Sequence, residues 1–179
     1  MADETRVEFE NMAEVLAKLD STLYAEPLRD FFKRAAITVQ GEARSRVMER
    51  WHDTGQTANS IMYEVDDGTP PQQALIGFLN ASEGSPLWFK ARAGEYGTGR
   101  VGDPAVSHGG GHWPPGDALQ TWAGRHGFAS GYQVAAAIGR RGGILPRRSL
   151  RDALAGGMAA IEGLVDKFMA GVASKWGQG

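Results

Sequence analysis

Between Glu26 and Trp51 an apolar residue returns every three or four positions, at Leu28, Phe32, Ala35, Val39, Ala43, Val47 and Trp51. Arg29, Asp30, Lys33, Arg34, Arg44 and Arg50 fall between them on other faces. Only a helix gathers such positions into one stripe. Pro27 suits its first turn, where a missing N–H costs nothing. At 1.5 Å per residue the helix is roughly 37 Å long, more than the diameter of a small domain. A rod of that length needs cover at both ends, and a neighbouring subunit is a natural source.

A second rod is predicted from Ser149, a plausible cap, to Trp176, with Leu150, Leu154, Met158, Ile161, Val165, Phe168 and Val172 as its stripe. Gly156, Gly157, Gly163 and Gly171 each cost it about 1 kcal/mol relative to Ala. It therefore depends on tertiary or quaternary packing, and its small residues let another backbone come close. At the other end of the chain, residues 5–10 alternate like a strand. A capping box of Asn11 and Glu14 then opens a short helix over 12–19, with Met12, Val15, Leu16 and Leu19 as its stripe.

Between the rods the period changes. Ile61–Val65, Ala74–Leu79 and Leu87–Ala93 are short, rich in β-branched or aromatic residues, and separated by turn clusters, which predicts a three-stranded antiparallel meander. Residues 94–115 read as a flexible Gly/Pro-rich loop; the chain's 25 glycines are well above the usual share of about 7% and concentrate between Gly94 and Gly143. Residues 116–142 then read as a helical insertion: one helix from Gly116 stopped by Gly124 and Gly127, and another from Ser130 stopped by Gly142-Gly143. The expected fold is α+β, one domain over 1–179, with two long helices packed on a small antiparallel sheet. No fixed-period repeat is present.

Composition narrows the chemistry. With 42% hydrophobic and 22% charged residues the chain is an ordinary globular mix. The absence of cysteine excludes disulfides, thiolate metal sites and a cysteine nucleophile. No apolar run approaches the ~18 residues of a membrane span. The acidic start of the sequence does not look like a secretory signal, so the expectation is a soluble protein folding in a reducing compartment. A net charge of −2 argues against the whole molecule acting as a clamp for nucleic acid.

Four local patterns invite a functional reading. Gly97-Thr98-Gly99-Arg100-Val101-Gly102 fits G-x-G-x-x-G, but Asp103-Pro104 follows where a phosphate-binding helix must begin, so a loop is expected and no cofactor. His108-Gly109-Gly110-Gly111 resembles an esterase oxyanion loop, yet the chain has no G-x-S-x-G elbow. His108 and His112 are four apart, a metal spacing only on a helix, which three intervening glycines disfavour. Residues 104–151 contain six arginines and only Asp117 among the acids. Without interleaved aromatic residues, a solvated or subunit-bridging basic face is expected rather than a base-stacking one. Asp66-Asp67 reads as turn chemistry, and the five tryptophans as core and interface anchors. No catalytic or metal site is assembled by these patterns.

Three patches, in order, carry a resemblance. Thr54-Gly55-Gln56-Thr57-Ala58-Asn59-Ser60-Ile61 is similar to a "TG-x-L-x-x-SI" turn leading a long helix into a sheet. Ala93-Gly94-Glu95-Tyr96-Gly97-Thr98-Gly99 is similar to an "x-E-x-GT" strand end. Leu145-Pro146-Arg147-Arg148-Ser149-Leu150-Arg151-Asp152-Ala153-Leu154 is similar to "P-x-x-F-L-x-x-A-L" at the start of a C-terminal helix. Together they resemble the tail-completion (neck, head–tail joining, minor tail or virion-morphogenesis) proteins of tailed double-stranded DNA bacteriophages. The chain departs from the pattern at Gln56-Thr57, at Gly94-Glu95-Tyr96 and at Ser149.

The resemblance implies a structural virion protein without catalytic activity or cofactor. It implies assembly in the host cytoplasm into a homo-oligomeric, usually hexameric, ring in the neck. Such a ring sits between head-completion or connector proteins and the tail terminator, with genomic DNA passing non-specifically through its channel and no membrane involved. Trp51, Thr54, Gly55, Ser60, Tyr96, Gly97, Thr98, Gly99, Pro146 and Leu150 are then the candidate interface residues. Arg140, Arg141, Arg147 and Arg148 are the candidates for facing the DNA channel. The rival readings are a DNA-binding module using the arginines from Arg125 to Arg151 and a small hydrolase using His108 or His112.

Overall fold

The structure, a computed structural model, describes residues 21–51, 55–106 and 112–176. The strand expected at 5–10 and the helix at 12–19 lie outside these residues. Helix α1 runs Ser21–Trp51 and is followed by the short α2, Gln56–Asn59. Strands β1 (Met62–Val65) and β2 (Ala74–Gly77) come next, then α3 (Pro86–Tyr96), α4 (Gly116–Arg125), α5 (Gly131–Arg141) and α6 (Ser149–Trp176). The described chain is mostly helical with one two-stranded antiparallel sheet, an α+β fold. Where the sequence reads as one domain, the chain divides into two compact units. Unit 1 holds residues through Ser85 together with Ser149 onward, and unit 2 is Pro86–Arg148.

Unit 1 is a pair of long antiparallel helices carrying a hairpin. Val47, Ala43, Val39, Ala36, Phe32 and Leu28 of α1 are buried, as are Ala153, Ile161, Phe168 and Val172 of α6. Phe31 and Phe168 meet at 5.8 Å near one end. At the other end the Trp51 indole donates to the Ser149 hydroxyl at 2.9 Å, and Arg50 pairs with Asp152 at 2.5 Å. The rods therefore cover one another. Antiparallel packing within the chain supplies much of the cover for which a neighbouring subunit was a natural source.

The hairpin closes the same core. Its register pairs Tyr63 with Ile76 and Val65 with Ala74, and all four pack against the buried cluster, while Met62 and Glu64 point outward. Arg29 of α1 donates to the carbonyls of Asp66, Asp67 and Gly68. The Asp66 carboxylate accepts from the backbone N–H groups of Gly68 and Gln72, so the acidic pair is turn chemistry as expected.

Three elements differ from expectation. Helix α1 begins at Ser21, which places Pro27 two turns inside it rather than in its first turn. Interior proline costs about 3 kcal/mol, offset here by the burial of Tyr24, Leu28 and Phe31 around it. Leu87–Ala93 is not a strand but the body of α3, so the meander is a hairpin. Pro86 at the first helical position, the helix formers Lys90 to Ala93, and Arg92 lying 5.3 Å over the Trp88 ring outweigh the local apolar run. Met158 stands exposed, because the buried line of α6 runs instead through Ala153, Gly157 and Ile161.

Candidate functional site

Unit 2 holds most of the predicted site residues, and the second and third patches of resemblance meet there. The Thr98 N–H donates to the Ile144 carbonyl at 2.8 Å, and the Ile144 N–H returns to the Thr98 hydroxyl at 3.0 Å. Arg100 N–H bonds to the Gly142 carbonyl, Arg147 N–H to that of Gly94, and Arg148 N–H to that of Glu95. These rungs form a clasp between the segments at 94–100 and 142–148. Its tightness depends on glycine. Gly97 has φ +71°, and a Cβ there would run into the Ile144 carbonyl; Gly143, at φ +138°, would run into that of Thr98. The part of the Gly-rich region from 98 to 103 is thus tied down rather than free, although its composition reads as a flexible loop.

The clasp gives the candidate interface residues individual places. Tyr96 and Thr98 are half-buried, Gly97 is buried, Gly99 opens a single 3-10 turn, and Pro146 backs onto Gly97. In unit 1, Trp51 is buried and stacked on Phe78 at 6.0 Å, so it anchors the interior rather than an outer surface. Ser149, expected as a cap, is fully buried and accepts from that indole. Leu150 packs against the core. Gly55, at φ +82°, turns the chain into α2, and the Ser60 hydroxyl closes that helix on the Gln56 carbonyl. Thr54, His108 and Gly109 to Gly111 lie outside the described residues.

The insertion folds as its punctuation predicts. The Ser130 hydroxyl accepts from Gln133 N–H at 3.3 Å to open α5. Gly142 and Gly143 close it, donating to the carbonyls of Gly139 and Ile138 in a Schellman arrangement. Gly131 of α5 sits against the Gly116 carbonyl of α4, and Tyr132 lies over Gly116 and donates to Asp117 at 2.9 Å. That hydrogen bond, the Asp117 charge and a little burial together hold the Tyr132 hydroxyl above its ordinary pKa of 10.0. At the far end of α4, the Trp122 ring stacks with His126 at 4.0 Å and with Phe128 at 5.7 Å.

Charge separates the units sharply. Residues 86–148 contain eight Lys/Arg and three Asp/Glu, a formal +5, and the rest of the chain contains eleven and eighteen, a formal −7, which together make the −2 of the whole. Arg100, Arg125, Arg140, Arg141 and Arg148 are exposed, and none of their guanidinium groups has an ion-pair or hydrogen-bond partner among the described residues. Arg147 differs: it is half-buried, and burial draws its guanidinium below the ordinary value. Trp113 lies with its ring over Gly139, the residue before Arg140, and is 62% exposed. Local patterns miss this contact because it joins residues 26 apart through a bare glycine.

Gly97–Gly102 leads into extended backbone, not a helix N-terminus. Among the described residues no three His, Cys, Asp or Glu side chains gather as a metal would require, and no helix is long and apolar enough to cross a membrane. Comparison of the chain with protein families, with characterised proteins and with solved structures gives no match.

Proposed function

We propose that this protein is a structural connector of the head–tail neck of a tailed bacteriophage, assembling as a ring beside the tail terminator. The observation that carries this reading is the clasp. The second and third patches of resemblance, about fifty residues apart in sequence, are joined by two hydrogen bonds, from the Arg147 N–H to the Gly94 carbonyl and from the Arg148 N–H to the Glu95 carbonyl, which supports reading them together. The first patch turns the chain through Gly55 and Ser60 towards the hairpin, whereas the strand end implied for the second patch is instead the end of α3.

Self-assembly has a surface available to it. The outer side of α6 presents Ala155, Ala159, Gly163, Ala170 and Ala173 with the exposed Met158 and Met169, and with Glu162 and Asp166 among them. Small residues let a second backbone approach, and head-to-tail contacts whose rotation closes make rings.

The test is particle composition. Purified virions from the phage or prophage that encodes the chain contain it at the neck, and deleting its gene leaves filled heads and finished tails unjoined. Normally joined virions from the deletion strain, with no copy of the chain in wild-type particles, would overturn the reading.

A further inference from the structure

We propose that unit 2 binds nucleic acid around the end of α5, where Arg100, Arg140 and Arg141 take phosphate oxygens and the exposed Trp113 ring stacks on an unpaired base. Arg140 and Arg141 belong to the end of α5, and Trp113 and Arg100 each lie against a glycine there. Gly139 leaves the helix bare where the Trp113 indole lies. Arg140 and Arg141 follow in the last turn, and the Arg100 Nε sits 3.3 Å from where a Cβ on Gly142 would stand. The last carbonyls of a helix favour cations nearby without neutralising them. All three guanidinium groups are exposed and lack an acidic partner among the described residues, so their charge is available to a ligand.

The chemistry there selects among polyanions. Every unpartnered cation of unit 2 is an arginine, whose planar fork matches a phosphate with two parallel hydrogen bonds. An acidic protein surface would satisfy the charge but would give the exposed indole nothing to stack on. A nucleic acid strand supplies both phosphates and π-faces. Because a ring lying on a helix can stack only on a base that is free of its pair, a single strand is preferred over a duplex. The inference rests on unit 2 alone and stands or falls apart from the neck reading.

Fluorescence anisotropy with the full-length protein tests it, using a labelled mixed-sequence single strand of about 20 nucleotides and the corresponding duplex. Affinity for the single strand is expected to fall with salt along a log–log slope of about −2, as three phosphate contacts require. The triple variant Arg100→Gln, Arg140→Gln, Arg141→Gln flattens that slope. Trp113→Ala weakens single-strand binding about fivefold to a hundredfold with the slope retained, while Arg34→Gln in unit 1 changes neither. Circular dichroism establishes that each variant is folded. Single-strand binding in the triple variant equal to that of the parent would overturn the proposal. So would the absence of binding by the parent at about 50 mM salt, or competition by polyglutamate as effective as that by unlabelled strand.

Discussion

Most arginines are used in opposite ways by the two units, Arg92 and Arg147 of unit 2 being the exceptions. In unit 1 Arg29 ties three turn carbonyls, Arg44 donates to the Ile61 carbonyl, Arg46 pairs with Glu42, and Arg50 pairs with Asp152. Even the exposed Arg34 is held by Asp30. In unit 2 five arginines extend into solvent with no such partner among the described residues. Guanidinium groups bound to carbonyls position a strand or turn, whereas guanidinium groups left open keep their charge for something else. The same residue type therefore marks a scaffold in one unit and a reserved surface in the other, and net charge divides along the same line.

The sharpest way to break this contrast is to damage one unit and observe the other by hydrogen exchange, which resolves local stability. Phe168→Ala empties the contact with Phe31 in the core of unit 1 and is expected to cost about 3–5 kcal/mol. Amides of α1 and α6 lose protection, and those of α5 keep theirs. Gly97→Ala forces a left-handed backbone on a residue with a Cβ and drives it into the Ile144 carbonyl, costing about 2–4 kcal/mol. It should expose the amides of Thr98 and Ile144 before those of α1. If either variant loosened both units equally, the division would be wrong.

Smaller effects sharpen the picture inside each unit. Trp51→Phe removes the indole donor and leaves the buried Ser149 hydroxyl without it, a loss of about 1–3 kcal/mol on denaturant titration. Adding Ser149→Ala recovers much of that loss, because the two residues act as a pair. Gly41→Ala, on an open face of α1, raises stability by about 1 kcal/mol.

The smallest signal is Tyr132. Its hydroxyl binds its proton more tightly in the folded protein, so its contribution is present below the ordinary tyrosine pKa and is lost as pH rises through the folded value. In an ultraviolet pH titration Tyr132 ionises above the ordinary tyrosine value, and the difference between the parent and Asp117→Asn shows it moving back down.

Legibility in the sequence followed the range of the interactions. The stripe of α1, the Ser130 cap and the Gly142-Gly143 stop depend on residues within a few positions, and all three are where local reasoning puts them. Helix α3 was hidden because Leu87-Trp88-Phe89 has the composition of a strand, while the deciding contact, Arg92 over Trp88, is a helical one. The exposure of Met158 could not be read from spacing alone, since Ala153 and Gly157 offer a closer approach between the rods than a methionine would. The clasp and the covering of Gly139 by Trp113 join distant segments through glycines, which carry no periodic signal.

Arginine-selective modification with phenylglyoxal, read by mass spectrometry in the free protein and in its complex with single-stranded nucleic acid, puts the contrast between the units to direct trial. The account predicts that Arg100, Arg140 and Arg141 react quickly when free and become protected in the complex, while Arg29, Arg44 and Arg50 react slowly in both. Rapid modification of Arg100, Arg140 and Arg141 in the complex, or equal reactivity of the two sets in the free protein, would contradict it.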